Sequence, residues 1–66
     1  MRLSDFWQRL EATFGSAYAS SVAADQVLAA LGGRTVNQAL EDGVPAGTVW
    51  RAVVATYPDR VPARLH

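Results

Sequence analysis

Trp50 and Arg51, with Thr48 two residues before the tryptophan, are the side chains in this sequence best suited to binding. Tryptophan and arginine often dominate protein contact surfaces. They lie in a predicted helix that is apolar around much of its circumference and has Arg51 as its single charge. Such a helix is either deeply buried or presents an apolar patch to a partner. We predict a contact surface at Thr48, Trp50 and Arg51, and the sequence leaves open the alternative that Trp50 is core.

Asp25 is a candidate for an ion pair inside the fold, with Arg34 as its partner and Arg51 as the alternative. It lies seven residues after Tyr18, and therefore on the same face if one helix continues through this stretch. A buried pair of this kind is more often structural than catalytic. The alternative is that the helix breaks near Ala23 and Asp25 caps a new one, so the sequence leaves open whether residues 18–31 form one helix or two.

The residue types that carry enzymatic or metal chemistry are scarce. The chain has no cysteine nucleophile, no lysine for Schiff-base chemistry, and one histidine, His66, at its last position. Four serines occur without a visible base partner, and Ser4 and Ser16 are better explained as helix N-caps. We therefore expect no catalytic residues, no cofactor, no metal site and no enzyme activity.

The elements that must position these residues are predicted to be helices. The first helix carries one apolar face and ends at Gly15; that face is formed by Leu3, Trp7, Leu10 and Phe14. A second helical stretch extends to the glycine pair at 32–33.

Two further helices are predicted in the second half of the chain. Thr35, followed three residues later by Gln38, forms a capping box, and Gly43 closes that short helix. Pro45 is tolerated in the first turn of the next helix, which Pro58 ends.

Because strand signals are nearly absent, the predicted fold class is all-α: a compact bundle of four to five short helices. Residues 1–57 are expected to form a single helical domain. Residues 58–66 contain two prolines and are expected to form a loose C-terminal tail.

The last two predicted helices resemble a helix-turn-helix, the DNA-reading unit of many bacterial repressors. That motif needs a small residue in its first helix, a glycine with positive φ four residues later, and apolar residues facing the core. Those places are taken here by Ala39, Gly43, Val44, Val49 and Val53.

The surface that would read DNA is poorly equipped. The residues that open the second helix are Pro45, Ala46 and Gly47, and none has a side-chain donor or acceptor for a base edge. On this helix, Thr48 could contact a phosphate and Arg51 a base or a phosphate, and DNA binding would also use the arginines at the ends of the chain. A small helix-turn-helix DNA-binding protein is therefore the alternative function, and a non-catalytic protein-interaction module is the main hypothesis.

The size and the charge of the chain limit the classes of partner that it is expected to bind. The 66 residues carry zero net formal charge, with six arginines spread along the chain, so the basic excess typical of nucleic-acid binding is missing. No uncharged apolar run approaches the roughly 20 residues of a membrane span, and the absence of cysteine fits a reducing cytosol. We expect a cytoplasmic protein without a membrane partner, which binds another protein or forms a homodimer.

Three segments together resemble an uncharacterised family of short actinobacterial proteins, domain of unknown function 3046. They are MRLSDFWQRLEATFGSAYASSVAADQVL, LGGRTVNQALEDGV and VWRAV, and they span residue 1 to about residue 54. The resemblance implies a cytoplasmic helical protein with no assigned activity or ligand. It also implies genes close to those of the recombinase of homologous recombination and its regulator, and hence a role near DNA recombination or repair.

Overall fold

The computed structural model describes all 66 residues, which form four α-helices, two 3₁₀ turns and one very small hairpin. The helices are α1 (Leu3–Phe14), α2 (Ser16–Asp25), α3 (Val36–Glu41) and α4 (Ala46–Thr56). The strands are β1 (Val27–Leu28) and β2 (Arg34–Thr35), and the 3₁₀ turns are Ala29–Leu31 and Ala63–Leu65. The all-α expectation is confirmed at the level of class, with the hairpin as an addition.

The core lies where α1 and α4 face each other and the shorter elements close around them. Phe6 and Leu10 of α1 and Val49 and Val53 of α4 are fully buried. α1 also packs along α2, and α3 contacts both α2 and α4. None of the helices reaches the length and apolar character that a bilayer crossing requires.

Gly15 joins α1 to α2 without any intervening loop. Its φ of +86° is a conformation that residues with a side chain rarely adopt. The same residue ends α1, where its N–H donates to Glu11 O, and begins α2, where its carbonyl accepts from Ala19 N. The expected serine caps are therefore wrong: Ser4 and Ser16 both lie inside helices, and neither helix start has a side-chain cap.

The stretch after Asp25 differs from the predicted helix. α2 ends there, Gln26 is extended, and β1 pairs antiparallel with β2, with Val27 opposite Thr35. A short apolar run fits a buried strand as well as a helix, so periodicity alone could not separate the two. The open question about residues 18–31 is thus answered: one helix is followed by a hairpin.

α3 and α4 are joined by a tight turn built around Gly43. Thr35 and Gln38 form the predicted capping box at the start of α3. At its end, the N–H of Val44 donates to Ala39 O at 3.0 Å and the N–H of Gly43 donates to Leu40 O at 3.1 Å. This is the Schellman arrangement, in which a residue with positive φ, here Gly43 at +87°, satisfies the last helical carbonyls.

Residues 58–66, expected to be a loose tail, pack against the core instead. Val61 is only 4% exposed, and Leu65 packs against the buried cluster. The indole Nε1 of Trp50 donates a hydrogen bond to the carbonyl oxygen of Leu65 at 2.7 Å. The folded unit therefore extends beyond residue 57.

Candidate binding groove

Trp50, the centre of the predicted contact surface, is a core residue. Its side chain is 2% exposed and meets the Phe6 ring edge to face, with the ring centroids 6.0 Å apart. Its only polar atom is satisfied by Leu65. The interpretation of Trp50 as an exposed contact is therefore wrong, because the C-terminal segment covers the helix face that a small bundle was expected to leave open.

Thr48 and Arg51 lie on the outer side of α4, where both are exposed. They contact each other, since Arg51 Nη2 donates to Thr48 Oγ1 at 3.3 Å. These two predicted residues are thus brought together, while Trp50 is turned away from them into the core.

Asp25 and Arg34 do not form the predicted internal ion pair. Arg34 Nε instead lies 3.1 Å from Asp42 Oδ2, and the side chains are 49% and 57% exposed. Asp25, at the end of α2, is exposed and has no cation within salt-bridge distance. The pair that does form links β2 to the turn after α3, and exposed pairs of this kind contribute only about 0–1 kcal/mol.

The molecule has two concavities of similar size, and the one lined mainly by hydrophobic side chains is a groove of about 350 Å³, here called the aromatic groove. It is lined by Phe14, Tyr18, Val22, Gln26, Tyr57 and Arg60. These residues come from the end of α1, from α2 and the residue directly after it, and from the segment that follows α4. The groove is therefore formed by the tertiary fold, and no single sequence motif contains its residues.

Aromatic rings form the base of the groove. Phe14 and Tyr57 meet edge to face, with centroids 5.2 Å apart, and both are partly buried. Arg60 Cζ lies 5.1 Å from the centroid of the Phe14 ring, within cation–π distance. The backbone N–H of Arg60 donates to Tyr57 O at 3.1 Å, so the turn after α4 holds the arginine beside this ring pair.

The polar groups of the groove have no partners within the protein. Arg60 has no carboxylate within 4.0 Å, and the side chains of Gln26, Tyr18 and Tyr57 make no hydrogen bond. Tyr18 is 70% exposed, the largest exposed fraction among the large hydrophobic side chains. The groove thus combines apolar rings with one free cation and several free donors.

Sequence reasoning missed this groove. Tyr18 drew attention only through its seven-residue spacing from Asp25, Arg60 only as one of the arginines near the chain's ends that DNA binding would use, and Gln26 not at all. Arg60 belongs to a segment expected to be loose, so its placement beside Phe14 depends on packing that no local pattern encodes.

Comparison with known protein families identifies the family to which the chain belongs. Residues 1–64 match the family described as protein of unknown function (DUF3046). The chain belongs to this family. No curated protein and no solved structure matches it. The DUF3046 match spans α1 to α4 and also takes in Val61, the buried residue of the C-terminal segment.

Proposed function

We propose that this DUF3046 chain is a non-catalytic cytoplasmic module that binds a protein partner through the aromatic groove. The observation that carries the proposal is the exposure of Tyr18 in a groove that also contains a guanidinium without an ion-pair partner. Tyrosine and arginine are enriched in protein contact surfaces, and an exposed aromatic group in a concave site gives a partner side chain area to bury.

The size of the groove supports a peptide segment as the bound feature. Pockets for small ligands enclose about 300–1,000 Å³, and this groove lies at the small end of that range. An open groove of this size accommodates one or two side chains of a partner. The gene association implied by the family resemblance makes proteins of homologous recombination the first partners to test.

The test is selection from a random peptide library displayed on phage against the immobilised protein. Enriched peptides are expected to bind the wild type and to lose most of their affinity for Tyr18→Ala. Leu3→Ala is the matched control, because Leu3 is also a large exposed hydrophobic residue but lies outside the groove. No enrichment, or equal binding to Tyr18→Ala, would contradict the proposal.

A second copy of the chain is the other protein partner to consider. Sedimentation equilibrium of the wild type and of Tyr18→Ala measures it directly. A dimer that dissociates on loss of Tyr18 would make the groove a self-association site, whereas a monomer leaves it free for a different protein.

DNA binding through the outer side of α4 is the second candidate function. The contact between Thr48 and Arg51 on an exposed helix face after a tight turn favours it. The exposed acids Glu41 and Asp42, directly before that turn, oppose it because they repel phosphates.

Fluorescence anisotropy of labelled duplex DNA, at low and at physiological salt, tests this second function. It predicts micromolar binding that weakens about tenfold or more with salt, because phosphate contacts release counterions. It also predicts loss of binding in Arg51→Gln but not in Arg64→Gln. Absence of binding at low salt would exclude the duplex as a ligand.

A further inference from the structure

We infer that the occupant of the aromatic groove is an acidic peptide segment in which an aromatic side chain stands next to a Glu or Asp. This inference rests on the proposed function and adds the chemistry of the partner.

The charge of the groove indicates which polar group the bound peptide carries. Arg60 is the only charged residue that lines it, and no carboxylate of the chain lies within 4.0 Å of its guanidinium. A guanidinium that lies near an aromatic ring still has planar N–H donors available for a bidentate contact with a carboxylate. The free amide of Gln26 is a further donor on the groove wall.

The aromatic rings of the groove indicate which apolar side chain the bound peptide carries. Phe14 and Tyr57 form a partly buried edge-to-face pair, and Tyr18 extends the apolar surface outward. Aromatic side chains gain stabilisation from offset or edge-on packing beyond that of the area that they bury. An aromatic side chain therefore suits this floor better than a short aliphatic one.

The charges around the groove favour a peptide over single-stranded nucleic acid. Stacking of bases on aromatic side chains is common, but it is combined with a groove of several cations that follows the phosphate backbone. Here one cation is present, and the residues directly before Gln26 and Arg60 are the exposed acids Asp25 and Asp59. An extended polyanion would be repelled there, whereas a single carboxylate can be placed on Arg60.

The experiment compares two unlabelled hexapeptides, Gly-Ser-Gly-Phe-Glu-Gly and Gly-Ser-Gly-Phe-Gln-Gly, both acetylated at the N-terminus and amidated at the C-terminus. Their binding to the ¹⁵N-labelled full chain is followed by chemical-shift changes of the backbone amides of Tyr18, Gln26 and Arg60. The Glu peptide is expected to bind about tenfold tighter than the Gln peptide, the effect of one charge-assisted contact.

Variants separate the inference from the function on which it rests. Arg60→Gln should make the two peptides equal, Arg64→Gln should leave the preference intact, and Tyr18→Ala should weaken both peptides alike. Arg60→Lys keeps the charge but loses the planar guanidinium, so it should keep only part of the preference for the Glu peptide. This variant replaces Arg60→Gln if Arg60→Gln does not fold.

Each contrary result has a distinct meaning. Peptides that bind through Tyr18 without a preference for Glu overturn the acidic-segment inference and leave the protein-binding function standing. If neither peptide binds and library selection also fails, both are overturned. If an oligothymidine of about ten nucleotides displaces the peptides or binds more tightly at physiological salt, the occupant is nucleic acid and the inference is wrong.

Discussion

At the scale of single residues, Trp50 shows how one hydrogen bond distinguishes a core side chain from a surface contact. An exposed tryptophan beside an arginine is a typical contact site, but Nε1 of this tryptophan already has its acceptor in Leu65. The partner of the indole is the chain itself, fifteen residues further on. Trp50 is therefore expected to determine stability and to have no direct role in binding.

Trp50→Phe should lower the free energy of unfolding by about 2 kcal/mol. The substitution leaves a cavity beside Phe6 and removes the donor to Leu65 O. The matched control is Trp7→Phe, because Trp7 is only partly buried and its indole makes no hydrogen bond; its effect should stay below about 1 kcal/mol. Urea unfolding followed by circular dichroism measures both, and equal effects would show that the hydrogen bond and the burial of Trp50 contribute little.

At the scale of elements, the turn between α3 and α4 allows a test with two glycines close together in sequence. Gly43 has a φ of +87°, so a Cβ there is strained although no atom lies within 4 Å of it. Gly47 lies in the first turn of α4, and a Cβ there meets only Met1 Cβ, at 3.8 Å, an ordinary contact.

Gly43→Ala should destabilise the protein by about 1–2 kcal/mol, whereas Gly47→Ala should stabilise it by about 0.5 kcal/mol. The opposite signs follow from backbone conformation alone, since neither site is crowded. Thermal unfolding of both variants measures the difference. A neutral Gly43→Ala would mean that the Schellman turn does not require the positive φ.

Local signals explain which elements were predictable. The capping box at Thr35 and the turn at Gly43 are encoded by residues three or four apart, and both were predicted correctly. The hairpin after Asp25 was not, because Val27 and Leu28 are as apolar as a helix requires and their pairing with Arg34 and Thr35 crosses a double-glycine turn.

The candidate site was less predictable than the fold for the same physical reason. The aromatic groove needs Phe14, Tyr18 and Arg60 to converge, and Arg60 reaches Phe14 only through the packing of the segment after α4. Trp50 and Asp25 were misjudged because burial and ion pairing depend on residues distant in sequence: Leu65 covers the first, and Asp42 takes the arginine expected for the second.

At the scale of the whole molecule, the C-terminal segment completes a small core. A chain of 66 residues buries only about 60% of the surface that it exposes when unfolded, so each covering residue matters. Val61 is part of the buried cluster, and Leu65 packs against it. The same segment carries Arg60, so the stability of the core and the shape of the aromatic groove are linked.

Deleting residues 62–66 separates the packed segment from the loose tail expected from sequence. A loose tail could be removed without effect, but the structure shows that this deletion removes the acceptor of the Trp50 indole and part of its cover, while Arg60 and Val61 remain. We expect a loss of about 1–2 kcal/mol, from one hydrogen bond and a partly buried leucine, and thus a melting temperature lower by about 4–16 °C for a domain of this size. Differential scanning calorimetry measures the shift, and Trp50 fluorescence in a Trp7→Phe background should move to longer wavelength as water reaches the indole.

Leu65→Ala in the full-length chain is the control that keeps the backbone carbonyl. It should lower the melting temperature less than the deletion does, because the hydrogen bond to Trp50 survives. An unchanged melting temperature in the deleted chain would show that residues 62–66 do not hold Trp50 in the core.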